Sequence, residues 1–161
     1  MFPERTKELA ASVLDGARKA GIRVTTVETV TSGLVAAALT SVSGASSIVE
    51  RGFILYHDSA KATGLGVSEE VSRTHGAVSA EVTKGLAEGG LANSTAGIAI
   101  AVTGYAGPTG GNDKDPVGTC YVSVSREGQE TVVERHLCDG NRDEVRLAAV
   151  EAALKLATAQ L

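Results

Sequence analysis

The chain has no tryptophan, and aromatic residues make up only 3% of its 161 positions. A core without rings must be aliphatic, built from Val, Leu, Ile and Ala. Stacking platforms for single-stranded nucleic acid are excluded for the same reason. Positive charge is also scarce: 15 Lys and Arg against 19 Asp and Glu leave a formal net charge of −4. A nucleic-acid partner needs a basic face, so that class is excluded too, although a local basic spot still holds one phosphate. No apolar run reaches the roughly 18 residues that a membrane helix requires. The start, Met1-Phe2-Pro3-Glu4-Arg5, has no apolar signal-peptide segment. The two cysteines, Cys120 and Cys138, sit in apolar runs, which reads as two buried thiols in a reducing compartment. His57, His75 and His136 are scattered, without HxxxH or CxxC spacing, and this argues against a metal site. These absences together predict a cytoplasmic protein with no membrane, nucleic-acid, metal or redox-cofactor partner.

What is present fits one domain over residues 1–161, with 43% hydrophobic residues and no linker, repeat or low-complexity stretch. Leu9, Val13, Leu14 and Ala17 predict a helix over 3–20, with Gly21 as its stop. Strands are predicted over 22–28 and 48–56, and a buried one over 95–102. Helices are predicted over 34–42, 58–65 and 68–74, and over 79–91 with Ser79 as N-cap. Residues 104–115 read as a loop. Strands over 117–125 and 131–138 flank Glu127-Gly128 as a hairpin. The chain closes on a helix from Asn141, where Asn141 and Glu144 form a capping-box pattern. This order predicts a three-layer α/β/α sandwich with a mixed, mostly parallel sheet.

Four groups of residues carry possible chemistry. Glu28-Thr29-Val30-Thr31-Ser32-Gly33 puts three hydroxyls at a strand end and a helix start, where open sheets bind ligands and helix N–H groups attract anions. A plain Thr/Ser helix cap explains the same pattern. Thr103-Gly104-Tyr105-Ala106-Gly107-Pro108-Thr109-Gly110-Gly111 is a glycine loop after the buried strand. It is neither a Walker A loop nor a dinucleotide fingerprint, and reads as a ligand cradle or a mobile surface loop. Tyr56 with Lys61 is the third group. A partly buried lysine serves as a base toward a hydroxyl nucleophile, while a snorkelling lysine serves nothing. Arg142 and Arg146, one turn apart, oppose the helix dipole. They await a phosphate or pair with Asp143, Glu144 and Glu130. A triad through His57 and Asp58 is disfavoured, because adjacent residues at a strand end point opposite ways.

In combination these segments resemble the C-terminal domain of the competence/damage-inducible CinA family, whose members include nicotinamide mononucleotide deamidases. The matching stretches are Glu28 to Gly33, Glu50-Arg51-Gly52-Phe53 with Tyr56, Ala60-Lys61, His75 to Ser79, Val102-Thr103-Gly104 with Ala106-Gly107-Pro108 and Gly110-Gly111, Pro116-Val117-Gly118-Thr119, and Arg142-Asp143. The resemblance runs from about residue 5 to the C-terminus and is similar to the family's stand-alone form. It implies an amidohydrolase acting on a nucleotide, converting nicotinamide mononucleotide and water to nicotinic acid mononucleotide and ammonia, as a homodimer without a cofactor.

The resemblance also implies roles. The family's turn reads Ala-Glu-Ser-Cys-Thr-Gly-Gly, with the serine as nucleophile. Here Thr29 takes that place, and Ser32 replaces a glycine. Lys61 and Tyr56 match the assisting residues, and Thr103 and Arg142 match the loop threonine and the basic helix start. The expected catalytic set is Thr29, Lys61 and Tyr56. The expected substrate contacts are Thr31, Ser32, Gly33, Thr103, Gly104, Gly107, Arg142 and Arg146. Threonine acts as a nucleophile in other hydrolases, but its methyl stiffens χ1. A nucleotide-binding relative without turnover, or an interaction protein, therefore remains an alternative reading.

Overall fold

A computed structural model describes all residues, 1–161. Five strands, β1 (Val24–Glu28), β2 (Val49–Ile54), β3 (Ile98–Gly104), β4 (Thr119–Arg126) and β5 (Val132–Leu137), form one sheet in the order β2-β1-β3-β4-β5. β1 pairs parallel with β2 and β3, whereas β4 and β5 enter antiparallel. The sheet is therefore mixed, with its parallel part at the start of the chain.

Six α-helices cover it: α1 (Glu4–Ala20), α2 (Leu34–Thr40), α3 (Asp58–Leu65), α4 (Glu69–His75), α5 (Ala80–Ala92) and α6 (Arg142–Ala159). α1, α2 and α6 pack together on one face, and α5 lies on the other with α3 and α4 beside it. This is the expected α/β/α sandwich. Strand alternation sorts the core. Val24, Ile98, Ile100, Val102, Cys120 and Val122 join the larger cluster under α1, α2 and α6. Val27 and Ala101 join Val82 and Leu86 on the α5 side. The largest fully buried side chains are aliphatic, Leu14, Leu39, Leu86, Ile98, Ile100 and Leu154 among them, as the scarcity of rings requires.

The helix ends follow local chemistry. α1 stops at Gly21, whose φ of +69° suits glycine. Ser79 caps α5 by accepting from the Val82 N–H. α6 opens on a complete capping box between Asn141 and Glu144. The strand bounds differ from expectation by up to three residues, and two of the differences bear on the site. β3 starts at Ile98 rather than Thr95 and runs through Gly104, whose partner on β4 is Cys120. β4 starts at Thr119 rather than Val117, because Gly118 takes φ +97° and the Thr119 N–H closes a turn onto Pro116 O. No helix is long and apolar enough to cross a membrane.

Candidate active site

The strand order sets the place where chemistry fits. β1 connects to β2 through α2 on one face. β2 then connects to β3 through α3, α4 and α5 on the other face, crossing β1. The crevice outside the carboxyl ends of β1 and β3 is the switch point at which open α/β sheets bind ligands. A small cleft of about 130 Å³ lies there, lined by Thr29, Val30, Tyr56, Lys61, Ala77, Val78 and Gly104. Thr29, Tyr56, Lys61 and Gly104, expected from the sequence as site residues, thus share one wall. Ala77 and Val78, within the matching stretch His75 to Ser79, complete the lining. A larger cleft of about 690 Å³ opens at the other end of the sheet, between the end of α5 and the β4–β5 turn. It contains none of the motif residues, and it faces the amino ends of β1 and β3, so position favours the smaller cleft.

Thr29 follows β1 directly and is 7% exposed. Its hydroxyl donates to Val102 O at 3.1 Å. Lys61, on α3, is only 3% exposed, so it is no surface snorkel. Its Nζ donates to Asp58 Oδ1 at 2.9 Å, one turn earlier on the same helix. That bond, ahead of any other influence, holds the Asp58 carboxyl below its usual range. Asp58 was missed as a partner, although the i,i+3 spacing on a predicted helix was visible. His57 interacts through Nδ1 with Ser59, at the α3 cap. Tyr56 is 64% exposed at the rim.

The hydroxyl turn is held from both sides. Glu28 is fully buried. Its carboxylate accepts from the N–H groups of Gly33, Val35 and Ala36 at 2.9–3.0 Å. The start of α2 therefore already has its anion. The Gly33 N–H, expected to face the substrate, is engaged by Glu28. Sequence reasoning singled out this turn but gave Glu28 no task; its signal was a carboxylate closing a strand otherwise buried throughout. Across the turn, Arg146 Nε donates to Val30 O at 3.0 Å, and a terminal guanidinium nitrogen donates to Thr31 O at 3.4 Å. Arg142 donates to Gly107 O at 2.8 Å. The two arginines brace the two turns, and the carboxylate pairing expected as their alternative reduces to a loose 4.0 Å contact between Arg146 and Asp143.

The remaining expected contacts are occupied or lie elsewhere. Ser32, at φ +48°, donates its hydroxyl to Thr29 O at 2.9 Å. Thr31 is fully buried, and its hydroxyl has no partner. Thr103 is fully buried too, facing α5, with its hydroxyl 2.8 Å from that of Thr83. The Thr83 hydroxyl donates to Ser79 O at 2.6 Å, which leaves Thr103 as the donor of the pair. Thr103 shares the strand face of Ala101, the face under α5. Two N–H groups of the turn, those of Val30 and Thr31, donate to nothing within the chain. The far end of the glycine loop is anchored by buried Asp115, which accepts from Tyr121 Oη at 3.0 Å and Arg135 Nε at 2.8 Å.

Comparison with known proteins identifies the family and the fold. The family model described as the CinA C-terminal domain matches residues 6–161. A CinA-like protein of Syntrophobacter fumaroxidans is 43% identical over 140 residues, 86% of this chain and 32% of the relative. A CinA-like protein of Myxococcus xanthus is 38% identical over 97% of this chain and 37% of the relative. The chain thus spans about a third of the length of these relatives. It is also 38% identical to a protein of Escherichia coli K12 named nicotinamide-nucleotide amidohydrolase PncC, over 96% of this chain and 94% of that one. The crystal structure of competence/damage inducible protein CihA from Agrobacterium tumefaciens superposes with a TM-score of 0.95 at 39% identity, covering 99% of this chain and 97% of that one. With a family model matched over nearly its whole length and a fold shared at that identity, the chain belongs to the CinA C-terminal domain family.

Proposed function

We propose that this chain is an amidohydrolase that deamidates nicotinamide mononucleotide to nicotinic acid mononucleotide and ammonia. One observation carries the reading: Thr29, Tyr56 and Lys61 line a single cleft at the carboxyl ends of β1 and β3. A relative of nearly equal length, named for this activity, supports it. The cleft is smaller than the roughly 300–1,000 Å³ of whole-ligand pockets. It suits the reacting carboxamide, with the ribose phosphate lying outward toward the glycine loop.

In this mechanism Thr29 Oγ1 leaves Val102 O and attacks the carboxamide carbon. Lys61 Nζ is the base that takes the hydroxyl proton. Asp58 accepts from Lys61 Nζ and so aims it, the orienting part that a nucleophile–base pair requires. The oxyanion forms against the unused N–H groups of Val30 and Thr31. Lys61 returns the proton to the leaving nitrogen, which departs as ammonia, and water then cleaves the threonyl ester. Tyr56 orients the ring or relays a proton at the rim. The free guanidinium N–H groups of Arg142, with Gly104 and Gly107, hold the phosphate. Arg146 acts as a positioning residue. By fixing the Val30 carbonyl, it fixes the peptide plane that presents the Thr31 N–H. A homodimer fits the exposed apolar side chains of Ile54 and Leu137 on the two edge strands; light scattering in solution checks it.

The test is release of ammonia from the mononucleotide by purified protein. Wild type turns over, Thr29→Ala falls to background, and Thr29→Ser, freed of the methyl, is at least as active as wild type. Absence of ammonia from both wild type and Thr29→Ser would sink the reading. A nucleotide-binding protein without turnover is the second reading. It is favoured by the Thr29 hydroxyl being bonded to Val102 O rather than to Lys61.

A further inference from the structure

A second cleft, of about 350 Å³, opens between α1, α6 and β5 on the face of the sheet opposite α5. Its lining includes Cys138, just past the end of β5. Cys138 is half-buried rather than fully buried as its apolar setting predicted, while Cys120 behind it is fully buried, and both thiols are free. The β4–β5 register makes them neighbours. Cys120 faces His136, and the Cys138 N–H donates to Gly118 O at 2.8 Å. The two cysteines are therefore diagonal partners across adjacent strands, and both pack into the same core cluster.

We propose that Cys138 is a thiol–disulfide exchange site that takes a small-molecule disulfide from this cleft and resolves it onto Cys120. The Cys138 thiolate attacks one sulfur of the small disulfide. That S–S bond breaks, a Cys138 mixed disulfide forms, and one small thiolate leaves and takes a proton from water. Cys120 then gives its proton to water and attacks Sγ of Cys138, expelling the second small thiolate, which also takes a proton from water. Two protein thiols are oxidised to one disulfide, and the small disulfide is reduced to two thiols.

The surroundings divide the two roles. Hydrogen-bond donation from Cys120 brings the Cys138 thiol down to about 7, against burial and the nearby Asp139. The same pairing, together with burial, pushes the Cys120 thiol up. The attacking thiol is thus near the ambient pH at which exchange is fastest, and the buried one is inert until a mixed disulfide reaches it. The charged groups around Cys138 nearly cancel. Arg5 pairs with Glu151 at 3.2 Å, the His136 ring lies 2.9 Å from the Glu134 carboxylate, and Lys155 and Asp139 have no ion-pair partner. Diagonal Cα atoms stand about 7–8 Å apart, and a disulfide spans up to about 6.8 Å. Bridge closure therefore moves the end of β5, where Cys138 already lies outside the strand. Cys120 Sγ also sits under the candidate active site: a Cβ on Gly104 would lie 2.7 Å from it.

The probe is glutathione disulfide, added to folded protein near pH 7.5, with free thiols counted and adducts located by peptide mass mapping. Wild type loses both thiols together and keeps no glutathione. Cys120→Ser, which retains a hydrogen-bond donor, stops with one glutathione on Cys138. Cys138→Ser keeps its Cys120 thiol. If the Cys120→Ser protein fails to fold, Cys120→Ala gives the same readout. Persistence of both wild-type thiols, or glutathione on Cys120 in Cys138→Ser at the rate seen for Cys138, overturns the exchange site. A wild type that stops at the mixed disulfide overturns the resolving role of Cys120.

Discussion

Lys61 is almost wholly buried, and the carboxylate within its reach, Asp58, is 38% exposed at the side chain. Burial of a charge without a partner is costly, so the pair links stability to pH as well as serving the cleft. The Asp58 carboxyl is held below its ordinary value of 3.8, chiefly by the Lys61 hydrogen bond. A depressed carboxyl contributes stability that is complete above the unfolded value and is lost as pH falls through the folded one. Asp58→Asn is therefore expected to lower the urea midpoint at pH 7 by the equivalent of about 1 kcal/mol, given the solvent screening of a part-exposed partner. The gap from wild type narrows as pH drops below 3.8. An equal gap at pH 7 and pH 3 would mean that the bond contributes nothing to linkage. The Lys61 base role asks more of Asp58, since losing its charge also loosens the aim of the amine.

At the scale of elements, α2 and α6 fix the turn between β1 and α2 from opposite ends. Glu28 satisfies three N–H groups at the start of α2. Glu28→Ala leaves them unpaired inside the protein, and the expected loss is about 3 kcal/mol or more of unfolding free energy, read as a denaturant midpoint. Arg146→Met frees the carbonyls of Val30 and Thr31. It is expected to lower kcat about tenfold, equal to about 1.4 kcal/mol of barrier, with KM nearly unchanged. A raised KM at constant kcat would instead return Arg146 to the phosphate. The helices that were easiest to read carry their own stop and start signals: Gly21 after α1, Ser79 before α5, and Asn141 with Glu144 before α6. The strand ends were harder, because β3 ends where β4 stops pairing with it, a long-range fact. Gly104 read as loop and proved to be the last rung opposite Cys120. Thr103 was legible in principle: it has the parity of Ala101, so its side chain had to face α5. The arginine braces were not legible, since Arg146 reaches carbonyls 116 and 115 residues away in the chain.

For the whole molecule, the strand order decides which of the two ends of the sheet is the working end. The order β2-β1-β3 brings the turn after β1 against the end of β3, so residues 29 and 104 meet although no local pattern joins them. The scarcity of rings leaves an aliphatic core to carry the frame. A frame of that kind responds to ligand as one unit. If the mononucleotide binds the folded state alone, a concentration of 100 times Kd adds about 2.7 kcal/mol. In a domain of 161 residues, each kcal/mol moves Tm by about 2–4 °C, so thermal unfolding should rise by about 5–10 °C. Thr29→Ala removes a hydroxyl that is bonded to Val102 O and not to any phosphate-holding group, so it should keep most of that shift while releasing no ammonia. A wild type that shifts without producing ammonia is a binding protein whose threonine has ended the chemistry. A wild type with neither shift nor ammonia means that the cleft at the switch point takes some other ligand.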